Sequence, residues 1–232
     1  MRVPWPVLIV ALALPTAGAL VYFVASNPDD PLFRITYAAS KVIQFALPIA
    51  TLLFVARERL RSIRLSFRGV LHGLLVGFLT LTILLFVYST VFRNTATLDG
   101  LVEVLRAKVA GFRLDSRSRF IVLTAFLSIM HSFLEEYYWR WFVHAGLREK
   151  LPPWAAIAIS SFAFAAHHVV VLHVYFPDNL WSTTIPFSLG VAAGGACWAW
   201  LYDRHGSLAG PWLAHVLADV ALMAIGYDLL YR

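Results

Sequence analysis

Long apolar runs broken by short polar stretches set the pattern of this chain from one end to the other. A helix that crosses a bilayer needs about 20 mainly apolar residues. The runs 3–25, 35–56, 69–92, 120–147, 154–176, 183–203 and 210–230 meet that length. The pattern therefore predicts an all-α, polytopic transmembrane bundle of about seven spans. The first run follows a lone arginine and carries small residues at Ala17, Gly18 and Ala19, as a secretory signal would. Its apolar stretch is longer than the 7 to 15 or so residues of a signal core, so it reads as a first span.

One further element is predicted between the third and fourth spans. Leu98, Leu101, Val102, Leu105, Val109 and Phe112 recur at helical spacing, with Glu103, Arg106 and Lys108 on the other face. An amphipathic helix over 98–113, lying in the membrane interface, fits that spacing. The connections are short: Asn27 to Phe33 with Pro28, Asp29, Asp30 and Pro31, then Leu151 to Pro153, then Asp203 to Gly210 through Gly206. Short turns make consecutive spans antiparallel neighbours. No repeat or linker divides the chain, so residues 1–232 form one membrane domain.

Composition supports this reading. At 60% hydrophobic and 14% charged residues, the chain is too apolar to hide its surface in one soluble core, and lipid must cover the excess. The net charge of +6 would suggest nucleic acid in a soluble protein. In a membrane protein, basic loops set topology and meet anionic head groups instead. The densest cluster is Arg57, Arg59, Arg61, Arg64 and Arg68, with Glu58 as its one acidic member. The positive-inside rule places it, and with it the N-terminus, in the cytoplasm. The basic segment from Arg93 to Arg119 falls on the opposite side, so the orientation rests on the denser cluster. Cys197 stands alone, which excludes a disulfide framework and a cysteine metal cage. Gly190, Gly194, Gly195 and Ala196 form a small-residue patch for close helix approach. Trp139, Trp141, Trp154, Trp181, Trp198, Trp200 and Trp212 fall mostly near span ends and read as interfacial belts.

Charged side chains inside spans need a reason, because each costs about 2.5 to 3.5 kcal/mol at mid-bilayer on insertion scales. The fourth span holds Glu135, Glu136 and Arg140, the fifth His167, His168 and His173, and the last His215 and Asp219. Glu136 and Arg140 are four apart and share a helix face, which allows an ion pair. Glu135 points about 100° away, toward His131, Trp139 and Phe142, and needs a partner from another helix. Phe164 and His168 are four apart, and so are His215 and Asp219 after a Gly210–Pro211 helix start. His167 and His168 are neighbours and cannot both face one partner. Three polar helix faces satisfy each other most cheaply around a polar cavity between the fourth, fifth and last helices. Glutamate beside histidine in such a place is suited to deprotonating water, and histidine with a hydrogen-bonding neighbour to steadying an oxyanion.

These motifs, in this order, resemble those of the CAAX protease and bacteriocin-processing (CPBP) family of intramembrane proteases, which includes the type II CAAX prenyl endopeptidases. Glu-Glu-x-x-x-Arg appears as Glu135, Glu136 and Arg140. Phe-x-x-x-His appears as Phe164 and His168 after Ser160 and Ser161. His-x-x-x-Asn/Asp appears as His215 and Asp219 after Gly206 and Ser207. The likeness runs over 120–232, and the first three spans match only in character. Two positions depart from the usual pattern: Trp141 stands where a glycine is common, and Asp219 where asparagine is more usual.

The resemblance implies an intramembrane endopeptidase in the cell membrane of a prokaryote, acting on a membrane-associated peptide or protein. Glu135 with His168 would activate a water, His215 with Asp219 would steady the oxyanion, and Glu136, Arg140 and Phe164 would support them. Aspartate donates a hydrogen bond only when protonated, so Asp219 is either held neutral or orients His215. Three alternatives stand beside this reading. The first is a zinc enzyme using Glu135, His168 and His215 with one open position. The second is a non-catalytic immunity or scaffold protein, and the third a proton-coupled transporter built on the same carboxylates and histidines.

Overall fold

The structure is a computed structural model describing residues 3–25, 31–56, 65–111 and 116–231. Arg57, Glu58, Arg59, Arg61 and Arg64 of the basic cluster, the Asn27–Asp30 turn and Phe112 lie outside the described residues. Among the described residues every regular element is helical. The helices are α1 (Trp5–Phe23), α2 (Ile35–Ala56), α3 (Phe67–Phe92), α4 (Ala96–Gly111), α5 (Arg117–Arg148), α6 (Pro153–Tyr175), α7 (Leu180–His205) and α8 (Ala209–Tyr231). All but α4 are long and apolar enough to cross a membrane, so the protein is a seven-span membrane bundle. Large apolar side chains such as Phe54, Phe78, Phe86, Val122 and Phe162 face outward, as a lipid-covered surface requires.

Local chemistry starts and stops the helices. The Ser66 hydroxyl accepts from the Gly69 amide at the start of α3, and Ser116 accepts from Arg119 at the start of α5. Each thereby satisfies an amide the first turn leaves unpaired. Pro153 occupies the first turn of α6, where its missing N–H costs nothing. Gly206 ends α7 with φ +60°, a left-handed turn favoured by glycine. Two stretches of α5, Phe126–His131 and Tyr137–His144, are wound as π-helix, the wider winding often found where helices carry function. They flank Glu135 and Glu136.

The most extensive helix pairing joins α3 to α8 rather than two neighbours in sequence. Its cause is a glycine stripe on α3. A Cβ on Gly73 would fall 2.3 Å from the carbonyl oxygen of Gly210, and one on Gly210 would fall 2.5 Å from that of Gly69. Gly77 faces Ala214 and Leu217 in the same way. The two main chains therefore touch, as small-residue interfaces in membranes permit. The expected patch on α7 acts at one position only. Gly195 lies against Phe164 and Arg140, whereas a Cβ on Gly190 would meet nothing within 4 Å.

Three tryptophans read as interfacial belong to the interior. Trp139, Trp141 and Trp198 are buried, while Trp154, Trp181 and Trp200 are exposed. The three buried rings form one core with Tyr138, Phe142, Phe164 and Leu201. The apolar face of α4 is seated on protein: Leu98, Leu101, Val102 and Leu105 pack with Tyr88, Phe176 and Leu229. At one end of the bundle, Asp203 of α7 accepts from Arg148 Nε and faces His144 Nε2, each at 3.0 Å, tying α5 to α7.

Candidate active site

The polar faces of α5, α6 and α8 meet in one cluster. Glu136 is fully buried, and its Oε1 accepts from Arg140 Nη1 and from His215 Nδ1, 2.8 Å in each case. The guanidinium continues to the Gly195 carbonyl of α7 at 3.2 Å and lies over the rings of Phe164 (4.8 Å) and Trp198 (5.0 Å). A side chain at 195 would meet both Phe164 and Arg140, so the glycine lets this arrangement close. Carboxylate, cation–π partners and carbonyl together compensate a charge that would otherwise be costly to bury.

Glu135, also buried, has different surroundings. Its Oε1 is 3.3 Å from His131 Nε2, one turn earlier on α5, and 3.7 Å from His167 Nε2 of α6. Its Oε2 makes an ion-pair contact with His215 Nε2, at 3.7 Å. That nitrogen also lies 3.6 Å from Asp219 Oδ1, an ion-pair contact too long for a hydrogen bond. Since His215 Nδ1–H is given to Glu136, Nε2 stands between two carboxyl groups. The Trp198 ring stacks on His215 (4.1 Å, 17°), and Phe164 meets it edge-on, so the imidazole plane is fixed.

His168 lies one turn from Phe164, as their spacing requires. Its Nδ1–H donates to the Phe164 carbonyl at 3.0 Å, which leaves Nε2 as the free nitrogen of a neutral ring. The ring packs on His167 and Phe164 and is partly exposed. Among the described residues the ion-pair partners of Glu135 are His131, His167 and His215, and His168 is not one of them. Phe164 is the common neighbour of Arg140, His168, His215 and Trp139. His173 lies outside this cluster. The spacing that turns Glu135 toward His131 agrees with their contact, whereas the direct contact of His167 was not visible from spacing.

Residues 117–221 match the family model described as type II CAAX prenyl endopeptidase Rce1-like. The matched stretch, a little under half of the chain, contains the Glu135–Arg140, Phe164–His168 and His215–Asp219 motifs whose side chains meet here. Over this segment the chain is similar to that family. Comparisons with curated proteins and with solved structures find no match.

The Rce1-like match supports a CAAX-type intramembrane protease kind of function, and the seven apolar spans make the protein integral to a membrane. Within the family segment Trp141, which stands in the common glycine position, stacks on Tyr137 (5.2 Å, 23°) and is buried. A zinc version of the Rce1-like site would need Glu135, His168 and His215 as one ligand set. Among the described residues no group of three or more His, Cys, Asp or Glu is arranged to hold a metal ion.

Proposed function

We propose that this protein is an intramembrane endopeptidase that hydrolyses a peptide bond of a membrane-associated peptide or protein, with Glu135 as the general base. The observation that carries the reading is the unequal engagement of the two glutamates. Glu136 is committed through Oε1 to Arg140 and His215 by short hydrogen bonds, while the contacts of Glu135 to His131, His167 and His215 are longer, at 3.3, 3.7 and 3.7 Å. A water between Glu135 Oε2 and His168 Nε2 would lose a proton to the carboxylate as its oxygen attacks the scissile carbonyl. The tetrahedral oxyanion would be met by His215 Nε2–H and by Asp219. When the C–N bond breaks, Glu135 returns the proton to the departing amine, so the products are one carboxylic acid and one amine.

The test is cleavage of membrane-anchored peptides by purified full-length protein in detergent. Glu135→Gln removes the base without changing shape and is expected to lower the rate by about 10²- to 10⁴-fold with no loss of thermal stability. Wild-type rates in that variant would end the glutamate mechanism. A purely structural or transport role predicts no peptide cleavage by the wild-type protein.

A further inference from the structure

The second span contains a cation that the hydrolytic cluster does not use. Lys41 lies on the inward face of α2, with Gln44, Phe45, Pro48, Thr51 and Leu52 at helical spacing behind it. Among the described residues Lys41 has no carboxylate within ion-pair distance, and its Nζ meets only Gln44 Oε1, at 3.5 Å. Gln44 is buried to 3% exposure, and its Nε2 has no acceptor. Among the described residues an ammonium whose acceptor is the Gln44 oxygen thus stands beside an amide nitrogen with no acceptor, an expensive arrangement inside a bundle.

The place is beside Glu135. Lys41 lies over the Phe45 ring (5.9 Å), Phe45 meets His131 edge-on (6.4 Å), and His131 Nε2 contacts Glu135. Lys41 also stands within electrostatic reach of Glu135 and His167. It is not the counter-ion of Glu135, whose oxygens are already faced by three imidazoles. The rings of Tyr22 and Tyr37, in edge contact at 5.0 Å, lie within the same reach of Glu135. An anionic acceptor that arrives from outside would satisfy both groups. Two donors three residues apart on one helix suit the two oxygens of a carboxylate.

We infer that Lys41 and Gln44 form a substrate-recognition site for a carboxylate carried by the peptide. This deepens the protease reading and rests on it for the identity of the bound molecule. The carboxylate is either the free C-terminus of the peptide or an acidic side chain, and both present the same two oxygens. Lys41 touches substrate in this scheme and takes no part in the proton transfers at Glu135.

Binding and cleavage are measured separately with the full-length protein in detergent. The probes are a lipid-anchored fluorescent peptide with a free C-terminal carboxylate, the same peptide amidated, and the amidated peptide bearing one glutamate near its end. Binding by anisotropy is expected to favour the free acid over the amide by at least about tenfold, the scale of one charge-assisted hydrogen bond. Lys41→Met and Gln44→Leu should each erase the preference, and Lys41→Arg should keep part of it. Recovery by the glutamate-bearing amide assigns the site to a side chain, and no recovery assigns it to the chain end. Where cleavage is seen, Lys41→Met should raise KM for the acid and leave kcat and the amide unchanged. Equal binding of acid and amide, or a Lys41→Met loss confined to kcat for both, overturns the inference. A carboxylate preference that depends on Lys41 without any cleavage upholds this site and overturns the protease reading instead.

Discussion

Oε1 of Glu136 lies 2.8 Å from Nδ1 of His215, a hydrogen bond that joins α5 to α8 inside the bundle. The same oxygen holds Arg140, so one carboxylate fixes both the imidazole and the guanidinium. Two adjacent glutamates of one sequence pair thereby have different energetic roles. Removing the charge of Glu136 should leave Arg140 buried without its counter-ion. Glu136→Gln is expected to cost about 3 to 5 kcal/mol of stability, seen as a large fall in unfolding temperature in detergent. Glu135→Gln should show no comparable fall. Equal destabilisation by the two substitutions would contradict the division of labour.

The two neighbouring histidines of α6 separate in the same manner. His167 is buried, lies parallel to Trp139 and contacts Glu135, whereas His168 is partly exposed with Nε2 free. His168→Ala is expected to reduce cleavage by about 10²-fold or more with little change in thermal stability. His167→Ala should mainly lower stability. The reverse outcome would transfer the water-orienting role to His167.

Asp219 is tested by its usual replacement in relatives. As a hydrogen-bond donor it acts only when protonated, so the rate contributed by it should fall as pH rises. Asparagine donates at every pH. Asp219→Asn is therefore expected to keep cleavage and flatten the alkaline side of the pH–rate profile. Asp219→Leu should lose about 10²- to 10³-fold. An Asn variant as inactive as the Leu variant would show that Asp219 works as a carboxylate, orienting His215.

A methyl group at Gly73 would collide with the main chain of Gly210, which cannot rotate away. Gly73→Ala is expected to destabilise the protein by at least about 1 to 3 kcal/mol, the scale of overpacking. Gly190→Ala, where open space receives the methyl, should be neutral or slightly stabilising, since alanine favours helix. Matching unfolding temperatures for the two variants would refute the close α3–α8 contact.

The sequence carried the membrane spans plainly, because apolar length is a property of each helix alone. The Glu136–Arg140 pair was legible for the same reason: both residues lie on one helix at a spacing the backbone enforces. The rest of the cluster depends on how helices rotate against each other, which no single-helix pattern encodes. Spacing could not choose between His167 and His168, and the structure sets His167 on Glu135. Lys41 was hidden because one lysine hardly changes the mean hydropathy of a long apolar run. The Gly69, Gly73 and Gly77 repeat was present in plain letters, but only the position of Gly210 opposite it shows its use. Trp139 and Trp198 illustrate the converse error, since closeness to a span end was read as exposure while both rings pack inside.

The contact between Gly73 and Gly210 has a consequence for depth. His215 lies five residues beyond Gly210, about 7.5 Å further along the axis, so its level in the bilayer is set by two touching main chains with no side-chain rotamer between them. The same contact ties the depth of the imidazole to α3, the helix with which α8 makes its most extensive pairing.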